Sequence, residues 1–235
     1  MRTALPRRRS VLTASVSAAV LLIIVVQATL AACFGPNEGA WAGNFDVPAA
    51  FVRQGIKGEM DHFAATPLAG AGIVHPTQIA ASNGDFVGWG TAKGVGVPFT
   101  ECGDNFTASW EIYVDGTVND VYFCKQDYGS VSNTAQNQFF RIEYTTCPGD
   151  GQPKFVFYWN SAWKTCKTIG ADRGRVGAGS ESTGTFSTQN LDVRYQAIRQ
   201  RNTSGTWAYL TSLYECELDA PYTIAPVGTS QWTVN

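Results

Sequence analysis

Three stretches in the middle of the chain change character at every second residue: WEIYV (Trp110–Val114), FRIEY (Phe140–Tyr144) and FVFYW (Phe155–Trp159). Successive side chains of a β-strand point to opposite faces. One set collects Trp110, Ile112, Val114, Phe140, Ile142, Tyr144, Phe155, Phe157 and Trp159. It is large and apolar in all three stretches and is therefore the expected core face. The other set, Glu111, Tyr113, Arg141, Glu143, Val156 and Tyr158, mixes charge with aromatic rings and is expected outside. A period of two excludes amphipathic helices here. The prediction is an all-β chain, an antiparallel two-sheet β-sandwich of jelly-roll or concanavalin-like form, preceded by an N-terminal signal segment. The 24 glycines and the low 15% share of charged residues agree with short strands cut by turns.

Turn residues place the other elements. Phe86–Phe99 (FVGWGTAKGVGVPF) is expected to be a bulged or bent strand. Thr107–Val114 and Val118–Cys124 flank Asp115-Gly116-Thr117, a tight-turn signal that predicts a hairpin. Asn137–Cys147 is expected to return through PGDG into Gln152–Trp159. Asn160-Ser161 turns the chain again, and the face taken by Trp163 depends on the type of that turn. Val193–Gln200 and Thr206–Glu215 flank a further turn at RNTSG, and Glu181 falls on another expected strand.

The N-terminus reads as an export signal over residues 1–32: a basic MRTALPRRRS, a long apolar run, then small residues before Cys33. Cleavage after Ala28, a lipobox at Leu30-Ala31-Ala32-Cys33, a twin-arginine signal and an uncleaved anchor are all compatible with it. Residues 33–71 are expected to form a loosely structured lead-in, and 72–235 the β-sandwich. The expected location is extracellular or, as a lipoprotein, the cell surface, with membrane contact only through the signal or a lipid. The six cysteines then suggest disulfides. The expected pairs are Cys102 with Cys124 and Cys147 with Cys166. Cys33 is either lipidated or paired with Cys216.

Several kinds of chemistry are absent. His62 and His75, both early in the chain, are the only histidines, no G-x-S-x-G occurs to present a serine on an elbow, and both read as surface or hydrogen-bonded residues. No C-x-x-C, EF-hand or phosphate-loop pattern occurs, so no metal and no cofactor is expected. A net charge of −2 argues against nucleic acid. What remains is carboxylates on sheet faces: Glu111, Glu143 and Glu181. Two carboxylates about 5–9 Å apart can cleave a glycosidic bond. An ion pair of Arg141 with Glu111 or a neighbour would equally account for them.

The stretches FVGWGTAKG, SWEIYVDG, FVFYWNSAWKTC and GSES resemble secreted bacterial concanavalin-like sandwiches, including the glutamic-peptidase and neprosin-like proteins, over Gly72 to Leu213. The resemblance implies a jelly roll. In the glutamic peptidases a Gln and a Glu sit on the concave sheet, and in the neprosin-like enzymes two Glu. Glu181 of GSES is the counterpart of one, while FVGWGTAKG offers neither a Gln nor a second Glu.

Three functions are compatible with these residues. A non-catalytic extracytoplasmic module would bind carbohydrate or cell-envelope polymer through Tyr113, Arg141, Tyr158 and Trp163. A glutamic-type peptidase or glycosidase would use Glu181 with Glu111 or Glu143. A structural surface protein would assemble with itself or a partner; the oligomeric state is open.

Overall fold

The computed structural model describes residues 38–44, 52–63, 67, 70–95, 98–99, 102, 104–105, 109–126, 128–183, 191–211, 214–218 and 222–235. The signal segment and Cys33 lie outside the described residues. Among those described there are strands and turns and no α-helix. In chain order the strands are β1 (Glu38–Asn44), β2 (Arg53–His62), β3 (Ala71–Ala80), β4 (Phe86–Val95), β5 (Pro98–Phe99), β6 (Asp104–Asn105), β7 (Trp110–Val118), β8 (Val121–Lys125) and β9 (Ser130–Val131). They continue with β10 (Gln138–Thr146), β11 (Pro153–Trp159), β12 (Ala162–Lys167), β13 (Arg175–Thr183), β14 (Val193–Asn202), β15 (Trp207–Tyr209), β16 (Tyr214–Leu218), β17 (Ile224–Gly228) and β18 (Gln231–Val234).

Two eight-stranded antiparallel sheets result. The first runs β16-β1-β13-β3-β4-β7-β8 with β9 beside β7; the second runs β12-β11-β10-β2-β14-β18-β17 with β15 beside β14. Strands β5 and β6 pair separately. The expected sandwich is therefore present, and the alternation explains its core. Trp110, Ile112, Val114, Phe140, Ile142, Phe155, Phe157 and Trp159 are all buried, while Tyr144 is half-buried and packs edge-on against Phe155. Trp89 of the first sheet packs against Phe157 and Trp159 of the second, at ring separations of 5.9 and 5.7 Å. Each large apolar side chain removed from water contributes about 1.5–3 kcal/mol, so these residues dominate the stability.

The structure departs from the sequence expectations in several places. The stretch 33–71 contains β1 and β2, and β2 lies inside the second sheet, paired with β10 on one side and β14 on the other. The hairpin after Trp110 does not turn at Asp115-Gly116. Strand β7 continues to Val118, and Asn119-Asp120 turns the chain with φ of 50 and 63°, the two left-handed residues of a type I′ loop. Gly116 serves packing instead: a Cβ there would meet the Phe86 carbonyl oxygen at 2.4 Å and the Phe123 ring at 2.6 Å. Strand β4 pairs with β3 and β7 without any shift in register, so its glycines mark no bulge.

The histidines are not at the surface. His62 and His75 are fully buried between the sheets, where their rings lie 5.7 Å from each other and 5.2 and 4.4 Å from the Trp110 ring. His62 Nε2 shares a hydrogen bond with Thr91 Oγ1 at 2.7 Å, and His75 Nδ1 one with Ser180 Oγ at 2.8 Å. The disulfides Cys102–Cys124 and Cys147–Cys166 form as expected. Cys216 lies in β16.

Candidate functional site

A cross-strand row of aromatic and cationic residues runs over the outer face of the second sheet. Register pairs Trp163 with Tyr158, Tyr158 with Arg141, Arg141 with Lys57, Lys57 with Arg199 and Arg199 with Tyr209. Directly paired residues share a face, so these six form one line across five strand intervals, about 24 Å long. The turn Asn160-Ser161 fixes one end of it. Both residues have positive φ, 46 and 65°, which makes a two-residue type I′ hairpin. Trp159 then faces Ala162, and Trp163 falls on the outer side with Tyr158. A bulge in β14 between Gln196 and Arg199 fixes the other end. It reverses the parity of that strand and brings Arg199 onto the same face as Gln196.

Charge and rings interleave along the row. The guanidinium of Arg141 lies 3.7 Å from the centre of the Tyr158 ring, and that of Arg199 4.4 Å from the Tyr209 ring. Arg199 also donates to the Tyr209 hydroxyl at 2.7 Å. Lys57 Nζ stands 4.4 Å above Trp207. That indole lies close against the sheet because position 55 is glycine; a Cβ there would meet the Trp207 ring at 2.9 Å. Glu143 is the anion among them, 3.4 Å from Arg141 and 3.7 Å from Arg201. Burial, then the neighbouring Arg199 and Arg141, holds the Lys57 ammonium below its ordinary pKa. Trp163 and Tyr209, at the two ends, are 45% and 48% exposed.

Beside Tyr209 the β14 bulge opens a cleft of about 340 Å³, lined by Glu59, Gln196, Ala197, Tyr209, Thr229 and Gln231. Ala197 sits at the bulge with φ of 53°, a conformation unfavourable for a residue with a Cβ. The lining supplies a carboxylate, two amides and a hydroxyl beside an aromatic ring, the groups that hydrogen-bond and stack on a polyol.

The outer face of the first sheet is different. Register places Glu181, Val74, Ala92 and Glu111 in one row. The two glutamates are three strand intervals apart, about 14 Å between Cα atoms. Glu181 is 6% exposed and Glu111 half-buried. Gln78 shares this face, also buried, and its Oε1 accepts no hydrogen bond from the described residues. Strand geometry puts its Cα about 14 Å from that of Glu181. Val74, Ala92, Tyr113 and Cys102 form a second small apolar cluster, with Cys124 packed against it. The Cys102–Cys124 disulfide thus holds part of the chain against this face. Burial, then Asp115 and Glu181, raises the Tyr113 phenol well above its ordinary pKa.

The sequence-derived site residues therefore divide. Arg141, Tyr158 and Trp163 meet on the second sheet. Tyr113, expected with them, is 2% exposed on the opposite sheet and does not belong to that row. Among the carboxylates, Glu111 and Glu181 share a face, while Glu143 lies on the other sheet, between two arginines. Lys57, Arg199, Arg201, Trp207 and Tyr209, and the cleft residues Glu59 and Gln196, were not legible as site residues. Among the described residues, no group of three His, Cys, Asp or Glu side chains lies close enough to hold a metal ion.

No protein-family model matches the chain, and no curated protein matches it. Solved structures do. Scytalido-glutamic peptidase with a transition state analog inhibitor superposes with a TM-score of 0.55 at 8% identity, over 85% of this chain and 97% of that one. The same peptidase with a peptide-based transition state analog gives 0.53, with the same identity and coverage. SCP-B, a member of the Eqolisin family of peptidases in a complex with the tripeptide Ala-Ile-His, gives 0.50 at 8% identity and the same coverage. At this identity the likeness is one of fold.

Proposed function

We propose that the chain is an extracytoplasmic, non-catalytic module that binds carbohydrate or cell-envelope polymer along the outer face of the second sheet. The observation that carries this reading is the continuous row from Trp163 to Tyr209, ending in a cleft lined with hydrogen-bonding groups. Flat rings stack on sugar rings, and the guanidinium and amide groups between them hydrogen-bond hydroxyls. The two disulfides support an oxidising compartment. Retention on insoluble polysaccharides and on isolated cell walls tests the reading. The double variant Trp163→Ala, Tyr209→Ala is expected to bind about tenfold more weakly, a loss of about 1.4 kcal/mol, with an unchanged melting temperature. Retention by no polymer, or equal retention of wild type and variant, counts against it.

The shared row of Glu181 and Glu111, on a fold found in peptidases, favours a second reading as a glutamic-type peptidase or glycosidase. Here two carboxylates on one face, about 14 Å apart at Cα, would lean toward each other to divide acid and base roles. Turnover of casein or glycans at acid pH is expected to vanish in Glu181→Gln. Turnover that survives the substitution removes this reading.

A further inference from the structure

Lys57 and Arg199 stand directly opposite each other on β2 and β14. Like charges in that relation destabilise a sheet. Neither forms an ion pair with a described carboxylate: Glu143 is engaged with Arg141 and Arg201, and Asp61 with Arg194. Their close partners are aromatic, Trp207 under Lys57 and Tyr209 beside Arg199. Across two adjacent register rows, Lys57, Arg141, Arg199 and Arg201 stand with Glu143, and Glu59 lies two residues from Lys57 on the same face, so four cations meet two carboxylates. The rings at both ends and the polar cleft flank this positive centre.

From this juxtaposition we infer that the ligand is an acidic polysaccharide, one whose sugar rings carry carboxylates, with an acidic unit seated between Lys57 and Arg199. This rests on the binding-module reading and deepens it. A carboxylate there adds counter-charge directly between the two cations, which no described ion pair provides, and relieves their repulsion. Its sugar ring is positioned to stack on the flanking aromatics, and the neighbouring unit reaches the cleft of Glu59, Gln196 and Gln231. The lowered Lys57 pKa, caused by burial and then by Arg199 and Arg141, agrees with a site that gains from an added anion.

The test uses the exported protein with polygalacturonate, alginate and hyaluronate, each against its methyl-esterified form, by calorimetry at low and high salt. The acidic forms are expected to bind at least tenfold more tightly than the esters and to weaken with salt. Lys57→Gln and Arg199→Gln are each expected to weaken acidic binding about tenfold, as for hydrogen bonds to charged groups. Each should leave the melting temperature the same or higher, since repulsion is removed; a purely structural cation would lower it. Equal binding of acid and ester overturns the acidic ligand and leaves the binding module standing. Preference for phosphatidylglycerol vesicles over all three polymers overturns it in favour of a lipid surface. Failure to bind these or any neutral polymer or cell wall removes the binding module, and this inference with it.

Discussion

Acidification from about pH 7 to about pH 4 is expected to remove about 3 kcal/mol of folding stability through His62 alone. Burial lowers its pKa from 6.5 to about 4, although the Ala135 backbone and Asp61 act in the opposite direction. The unfolded chain therefore takes up a proton in this window while the folded chain does not. Stability from this source is complete above the unfolded value of 6.5, falls as the pH drops, and levels off below about 4. His75 acts in the same direction: burial, then the nearby His62, holds its pKa well below the ordinary value. Urea denaturation across this pH range measures the effect. His62→Gln, which keeps an amide toward Thr91, should flatten the profile. Equal stability at both ends of the range would refute the assignment of two neutral histidines in the core. An acid-pH assay of the Glu181 reading must accordingly be accompanied by a measure of the folded fraction.

Trp89→Ala is expected to cost about 3–5 kcal/mol, the range for deleting a fully buried aromatic side chain. Trp89 has no exposed surface and meets Tyr128, Phe157 and Trp159 in the space between the sheets. Its removal leaves a hole that two hydrogen-bonded sheets cannot collapse into. The indole nitrogen has no hydrogen-bond partner among the described residues, so Trp89→Phe forfeits only packing and should cost about 1–2 kcal/mol. Chemical denaturation of the two variants distinguishes these sizes. A loss below about 1 kcal/mol in Trp89→Ala would mean that Trp89 does not join the two layers.

The core was legible where alternation is written in large apolar residues, as in β7, β10 and β11. It was hidden in β2, where the inward positions are Ile56, Gly58, Met60 and His62. Glycine and histidine do not look like core in a sequence. Gly58 faces inward because Ile198 fills the space beside it, and His62 is accepted because Thr91 satisfies one of its nitrogens. The Asp115-Gly116 pair misled for a related reason, since its glycine answers to packing rather than to a turn.

The site was half legible. Tyr158, Trp163 and Arg141 lie on neighbouring strands joined by short connections, so local pattern brings them together. Lys57 and Arg199 come from distant parts of the chain, and no local pattern records that they pair. The bulge at Ala197 conceals Arg199 further, because strict alternation from Gln196 would turn it inward. Tyr113 obeyed the alternation and still failed as a ligand-binding residue. An outward direction does not guarantee solvent when Cys102, tethered by its disulfide to Cys124, packs against the face.

The place of β2 also governs how the molecule comes together. Its Asp61 is held by Arg194, 133 positions further along the chain, at 2.7 Å. Both of its neighbours are made long after it: one edge waits for β10, and the other stays unzipped until β14, near the end of the polypeptide, is present. Collapse is then slow and late, as for any topology dominated by distant pairings. A shortened product lacking the segment from Val193 onward would leave a bare strand edge in the middle of what should be a closed layer, open to pairing with another chain.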